Sequence, residues 1–220
     1  MLSNYNLFND EKVDALMSTF LEKNCDINTI EKFIIELINY FNLEIFCSSI
    51  SLSSNDYLLA AYSRKNKELI INYKKMLENF SKISNDYYFI KANIYRIILH
   101  EIKHILQHKM VYSQDNQLFK IFQTEFHNGI KCLVAPSEVN ADIESTLVLI
   151  KNYNSNHVLY DKQLAFSANL INYYYFPKCI VHDYCLNNDI KLVNIDSLEK
   201  FIYGIDYDLT SCKNIIKKYY

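Results

Sequence analysis

The residue types best suited to chemistry in this chain form the pattern HExxH, at His100, Glu101 and His104. Positions four apart lie on one face of an α-helix, so the two imidazoles can bind one Zn²⁺ ion. The carboxylate of Glu101 would lie beside that ion, where it can take a proton from water. The pattern therefore predicts a zinc-binding helix in which Glu101 is the general base.

The surrounding stretch, residues 94–109, indicates that this helix is buried. Apolar side chains cover most of the circumference that the histidines leave, namely Ile94, Ile97, Ile98, Ile102, Ile105 and Leu106. A helix that is apolar on nearly every side packs inside a protein. Polar groups buried there need partners, and a metal ion would supply one.

Two imidazoles do not complete a catalytic zinc site, which commonly has three protein ligands and a water molecule. His108 lies about 12 Å along the helix axis from His100, so one ion cannot bind both. The extended metzincin pattern requires a glycine at the position where Gln107 stands. We therefore expect the third ligand to be a glutamate from another helix.

Residues 138–142, read EVNAD, resemble the E-x-x-A-D element that follows HExxH in gluzincin-like metallopeptidases. Both the HtpX-type peptidases and the ImmA/IrrE family of regulatory peptidases from phages and mobile elements carry such an element. The HtpX-type family has transmembrane helices, which need about 20 consecutive apolar residues. No apolar run in this sequence approaches that length, so the chain resembles the soluble ImmA/IrrE-type branch more closely.

This resemblance implies a zinc-dependent metalloendopeptidase that hydrolyses a protein or peptide substrate, with a regulatory role in a phage or mobile element. It also implies that His100, His104 and Glu138 bind Zn²⁺. Asp142 would then support a ligand imidazole, and Ala141 would let the two helices pack closely.

The helix predicted over residues 137–151 also favours Glu138 over Glu144 as the ligand. The two glutamates lie about 120° apart around a helix, so both cannot face one ion. Glu138 flanks an apolar stripe and lies near Ala141 and Asp142. The stripe consists of Val139, Ile143, Leu147 and Ile150. We expect Glu144, next to Ser145 and Thr146, to face solvent.

The group that stabilises the oxyanion is less defined by the sequence. In peptide hydrolysis a tyrosine, histidine or arginine commonly takes this role. The C-terminal half of the chain offers three candidates, His157, His182 and Tyr174. The sequence does not choose among them.

The order of predicted elements indicates an α+β, zincin-like fold, in which a small β-sheet packs on a largely helical domain that contains the HExxH helix. We expect one domain over residues 1–220. Predicted helices cover residues 11–23, 28–41, 74–82 and 137–151, and predicted strands cover residues 43–52, 57–62 and 67–73. We expect the strand at residues 67–73 to form the edge that binds an extended peptide.

Composition excludes several other classes of protein. The formal net charge of −2 gives no general attraction to nucleic acid or to an anionic membrane. The first thirty residues lack the pattern of a signal peptide, and six scattered cysteines are typical of free thiols. We therefore expect a cytoplasmic protein that contacts neither membrane nor nucleic acid directly.

Two alternatives to a peptidase remain. One is a catalytically silent interaction or regulatory protein with the zincin fold, which the presence of Glu101 disfavours because metal binding alone does not need that carboxylate. The other is a DNA-associated regulator, which the near-neutral charge disfavours. The segment Cys179-x-x-His182-x-x-Cys185 is better explained by free thiols than by a metal site, because these positions span too wide an arc of one helix.

Overall fold

The computed structural model describes residues 7–8, 10–55, 57–113 and 136–173, without the side chains of residues 136, 139 and 168–173. In chain order its elements are α1 (Glu11–Leu21), α2 (Ile27–Tyr40), β1 (Ser49–Leu52), β2 (Ala60–Ser63), β3 (Glu68–Ile71), α3 (Tyr73–Ile83), α4 (Tyr87–Ser113), α5 (Pro136–Asn152) and α6 (Tyr160–Tyr173). The described part is thus α+β and mostly helical, with one small mixed sheet.

The sheet has the strand order β1-β3-β2, with β1 parallel and β2 antiparallel to β3. The expectation that residues 67–73 form an edge strand is therefore wrong, because β3 is the central strand. The turn at residues 64–67 folds β2 back onto one side of β3, and β1 takes the other side. Burial of Leu69 and Ile71 agrees with a central position.

The other two strands are shorter than the sequence predicts. Of residues 43–52, only the last four pair in the sheet, and Leu43, Phe46 and Cys47 instead enter the core from a turn. Tyr57 is 100% exposed, and its strand begins only at Ala60. The apolar residues Leu43, Phe46 and Cys47 thus indicate burial and not strand pairing.

Helix α4 begins where the sequence offers a cap. The Asp86 carboxylate accepts a hydrogen bond from Phe89 N at 2.8 Å, which satisfies one of the free N–H groups of the first turn. The helix then continues for 27 residues without glycine or proline. It is buried on most sides, as predicted, and it contacts α1, α2, α3, α5 and β2.

Aromatic packing fixes α4 against the first two helices. Tyr95 of α4 lies 4.9 Å from Phe33 of α2 and 6.1 Å from Phe20 of α1 between ring centroids, in edge-to-face geometry. All three rings are buried. Such aromatic pairs contribute about 0.5–1.5 kcal/mol each beyond the area they bury. The helix that carries HExxH therefore rests on a rigid apolar support.

No helix among the described residues is long and apolar enough to cross a membrane. Cys25 and Cys47 are buried free thiols. The other four cysteines lie outside the described residues, as do His182 and Tyr174.

The cap of α4 generates a stability prediction. Asp86→Ala should lower the free energy of unfolding by about 1 kcal/mol, because Phe89 N loses its acceptor. Asp86→Asn keeps a side-chain oxygen at this position and should lose clearly less. Urea denaturation of both variants measures the difference, and equal losses would show that the carboxylate charge, not the cap, is what stabilises the helix.

Candidate metal centre

Two helices bring three ligand side chains together. His100 and His104 lie one turn apart on α4, and Glu138 lies in the first turn of α5. The Nε2 atoms of the two histidines are 3.0 Å apart. Glu138 Oε2 lies 3.2 Å from His100 Nε2, and Glu138 Oε1 lies 3.4 Å from His104 Nε2. These three residues could hold a metal ion.

The three residues of the centre differ in exposure. The side chains of both histidines are nearly buried, whereas that of Glu138 is 36% exposed. Ala141, one turn after Glu138, is fully buried, and its small side chain allows α5 to lie close to α4. Glu138 is therefore the most exposed of the three residues.

Asp142 holds the ring of His100. Its Oδ1 atom lies 2.8 Å from His100 Nδ1 and 3.2 Å from Arg96 Nη1, so one carboxylate oxygen joins two residues of α4. When Nδ1–H donates to Asp142, the lone pair of His100 is on Nε2, which faces Glu138. A carboxylate in this position fixes the tautomer of a ligand imidazole and raises its basicity.

Glu101 lies beside the centre without joining it. Its Oε1 atom is 4.0 Å from His100 Nε2, and the residue is buried. The neighbouring position on the helix turns its side chain by about 100° from that of His100. Glu101 is therefore close enough to exchange a proton with a group bound at the centre.

Mutual hydrogen bonding shifts the pKa values of all three ligand residues. Burial lowers the pKa of His100, but hydrogen bonds to Asp142 and Glu138 outweigh burial and raise it to about 10. The pKa of His104 is also raised, because its bond to Glu138 outweighs burial. Burial raises the pKa of Glu138, but both imidazoles lower it more strongly, to well below its ordinary value. The cluster thus pairs a carboxylate with positive charge.

The sequence did not reveal what holds His104. Gln107, one turn further along α4, places Oε1 2.8 Å from His104 Nδ1. Gln107 Nε2 donates to Ser137 O at 2.9 Å and to Asn140 Oδ1 at 3.1 Å. The signal was present in the spacing of three between His104 and Gln107, a distance at which helical side chains meet.

The expectation that Glu144 faces solvent is wrong. Glu144 is 1% exposed, and its Oε1 atom lies 2.7 Å from Lys103 Nζ. The same oxygen accepts from Asn140 Nδ2, and Oε2 accepts from Leu7 N. The helical wheel separates Glu144 from Glu138 correctly. It does not show that α5 is covered by protein on that side as well.

Of the oxyanion candidates, only His157 lies among the described residues, and the structure does not bring it to the centre. Its Nε2 atom lies 3.6 Å from Asp86 Oδ2, and its ring stacks on Tyr88. Asp86 caps the start of α4, about 20 Å along the helix axis from His100. His157 is excluded because the segment that carries it packs against the far end of this long helix.

His108 also has a place outside the centre. Its Nδ1 atom lies 2.7 Å from the hydroxyl of Tyr62 on β2, and its ring packs edge-on against Phe46. Burial and the nearby cations Arg64 and Lys67 lower the pKa of His108. This residue therefore links α4 to the sheet and is not a ligand, in agreement with the distance argument from the sequence.

Comparisons with known proteins found no match to the chain. No protein-family model matches it, and neither does any curated protein or solved structure. Function must accordingly be argued from the geometry and chemistry of the site itself.

The geometry of the centre predicts that Glu138 and Glu144 of α5 differ in their contribution to metal affinity. Glu138→Ala should weaken metal binding more than about 100-fold, because it removes a ligand, and Asp142→Ala should weaken it about 10–100-fold. Glu144→Ala should retain much tighter binding than Glu138→Ala, because all three ligands remain. Calorimetric titration with zinc measures these constants. Weaker binding by the Glu144 variant than by the Glu138 variant would contradict the assignment.

Glu144→Ala should lower the stability of the fold more than it lowers metal affinity. Removing it leaves the Lys103 ammonium buried without its carboxylate, which typically lowers the free energy of unfolding by about 3–5 kcal/mol. Denaturant unfolding of the metal-free protein measures this effect separately from metal affinity. A loss below about 1 kcal/mol would mean that Lys103 reaches water in the variant.

Proposed function

We propose that this protein is a zinc-dependent metalloendopeptidase with a zincin-like fold. The proposal depends above all on the convergence of His100, His104 and Glu138 beside Glu101. Two histidines and a glutamate are the donor set of a known class of catalytic zinc sites. HExxH on a helix is the metallopeptidase arrangement, in which the glutamate acts as the general base.

The spacing of the donor atoms supports zinc as the metal. Ligands about 2.0–2.1 Å from one tetrahedral ion lie about 3.4 Å from each other. The three separations between donor atoms of His100, His104 and Glu138 are 3.0, 3.2 and 3.4 Å. Three protein ligands also leave a fourth position for water or substrate, as catalytic zinc sites require.

Bound zinc would polarise the scissile carbonyl and increase the acidity of water at the centre. The Glu101 carboxylate would take a proton from the attacking water and transfer it to the amine that leaves. His100 and His104 would contribute neutral imidazoles, with Nδ1–H held by Asp142 and Gln107 respectively. The buried surroundings of Glu101 keep bulk water away from its carboxylate during this transfer.

The metal itself is the first test. The purified protein should contain about one zinc per chain, because only one cluster of metal-binding side chains is found among the described residues. Elemental analysis after purification without chelator measures this content. Protein that holds no zinc and takes up none on addition would contradict the proposal.

Glu101→Gln is the test of catalysis. The variant should bind zinc as tightly as the wild type, because Glu101 is not a ligand. It should cleave peptides at least about 100-fold more slowly, because a general base contributes about 10²–10⁴-fold. Mass spectrometry of a proteome-derived peptide library, incubated with each zinc-loaded protein, detects the cleavage products.

The outcomes of this experiment distinguish the proposal from its alternative. Cleavage by the wild type and not by Glu101→Gln supports the peptidase. Equal cleavage by both proteins would contradict the mechanism. Zinc binding without cleavage of library peptides or of co-expressed proteins would favour a catalytically silent regulatory protein. His104→Ala serves as the control that lacks a ligand.

A further inference from the structure

We propose that four residues behind the metal centre form a relay of hydrogen bonds that fixes the tautomer of His104. The relay consists of Gln107, Asn140, Glu144 and Lys103. This inference rests on the metal centre of the proposed function and adds the residues that position its second histidine. They are positioning residues, because none of them contacts the reacting atoms.

The hydrogen bonds of the relay form an unbroken chain, which starts at Gln107 on α4, crosses to Asn140 and Glu144 on α5, and returns to Lys103 on α4. Gln107 Oε1 lies 2.8 Å from His104 Nδ1, and Gln107 Nε2 lies 3.1 Å from Asn140 Oδ1. Asn140 Nδ2 lies 3.0 Å from Glu144 Oε1, which lies 2.7 Å from Lys103 Nζ. All four residues of the relay are nearly or fully buried, so bulk water cannot replace these partners.

The near end of the relay is the end at Gln107, next to His104, and a contact there determines the orientation of the Gln107 amide. Its side-chain amide lies 2.9 Å from the main-chain carbonyl of Ser137, which can only accept a hydrogen bond. The amide nitrogen of Gln107 must therefore face Ser137, and the amide oxygen must face His104. An oxygen at that position accepts, so Nδ1 of His104 must carry the proton.

The far end, where Lys103 pairs with Glu144, favours the same orientation. The Lys103 ammonium can only donate, so Glu144 accepts from it. Glu144 Oε1 also accepts from Asn140, which turns the nitrogen of that amide toward the carboxylate and its oxygen toward Gln107. A buried ion pair thus fixes the orientation of two amides and, through them, of an imidazole.

The consequence concerns the atom that His104 presents to the centre. With a proton held on Nδ1, Nε2 is the nitrogen left to bind a metal ion, and it faces Glu138. The opposite tautomer would place an unprotonated Nδ1 against the oxygen of Gln107 and leave both acceptors unsatisfied in a buried site. Asp142 likewise holds the Nδ1 proton of His100, so the two histidines are oriented by separate partners.

Gln107→Leu tests the near end. The variant should bind zinc about 10–100-fold more weakly in a chelator competition. In the zinc-loaded protein with ¹⁵N-labelled histidine, the slowly exchanging Nδ1–H proton of His104 should disappear, while that of His100 remains. Wild-type affinity together with an intact His104 signal would overturn the proposal.

Gln163→Leu is the matched control. Gln163 of α6 is as buried as Gln107 and also bonds to α4, where it accepts from Asn93 Nδ2 at 2.8 Å. Asn93 lies about 10 Å along the axis from His100. This variant should lose stability but keep wild-type zinc affinity and both proton signals. Equal loss of zinc affinity in the two variants would reduce the role of Gln107 to general packing and overturn the proposal.

The double variant Lys103→Met with Glu144→Met tests the far end. Apolar residues of similar volume often replace a buried ion pair without loss of folding. All three zinc ligands and Gln107 remain, so a shifted or lost His104 proton signal and weaker zinc binding would support the relay. A His104 signal and a zinc affinity equal to those of the wild type would overturn the relay, because the Ser137 carbonyl alone would then orient Gln107.

The metal-free protein distinguishes failure of this inference from failure of the proposed function. The relay also requires that His104 of the metal-free protein show a slowly exchanging Nδ1–H proton, which Gln107→Leu removes and Gln163→Leu does not. A protein that binds no zinc but responds in this way would contradict the metal centre and support the relay. A protein that binds zinc, but whose zinc affinity and His104 signal change neither in Gln107→Leu nor in the double variant, would support the metal centre and contradict the relay.

Discussion

The close contact between α4 and α5 is the interaction on which the site depends, because each helix carries only part of it. Two ion pairs join these helices, the buried pair of Lys103 with Glu144 and the partly buried pair of Arg96 with Asp142. A buried ion pair contributes little net stability, but separating its partners is strongly unfavourable. A shift of α5 by one turn would separate both pairs at once. The pairs therefore fix the register in which Glu138 meets the two histidines.

The two histidines of the candidate centre differ in the side chains that support them. His100 donates to a carboxylate, Asp142, whose charge Arg96 offsets. His104 donates to a neutral amide, Gln107, whose orientation is set by residues further away. A carboxylate partner increases the basicity of an imidazole more than an amide does. The centre therefore combines one stronger and one weaker nitrogen donor on the same helix.

The local part of the site could be predicted from the sequence, and the non-local part could not. The spacing of His100 and His104 needs only the periodicity of one helix, and the pattern around Glu138 indicated the second helix. The burial of Glu144 depends on Leu7, a residue 137 positions away, and on Lys103. No periodicity within residues 137–151 contains that information, so an acidic residue beside Ser145 was expected to face water.

The strand order has the same physical origin. Local pattern identified β3 as half-buried, and its hairpin with β2 followed from the short turn at residues 64–67. That β1 pairs with the other side of β3, in parallel, depends on a contact between segments about 20 residues apart. The position of His157 likewise depends on packing against Tyr88 at the start of α4. Residue type alone made it a candidate for catalysis, and tertiary packing removed it.

Charge balance connects the residues that support the site to the cation that the site could hold. Among the described residues, the carboxylates in and around the centre are Glu101, Glu138, Asp142 and Glu144, and the buried cations are Arg96 and Lys103. Four negative charges against two positive ones leave a net charge of −2 when both imidazoles are neutral. A cluster with this much burial is stable only if that charge is compensated. One divalent cation supplies +2, and so do two protonated imidazoles, which agrees with the raised pKa values of His100 and His104. A metal ion and protons would therefore compete for the same two nitrogens, and binding of the metal would release protons from the centre.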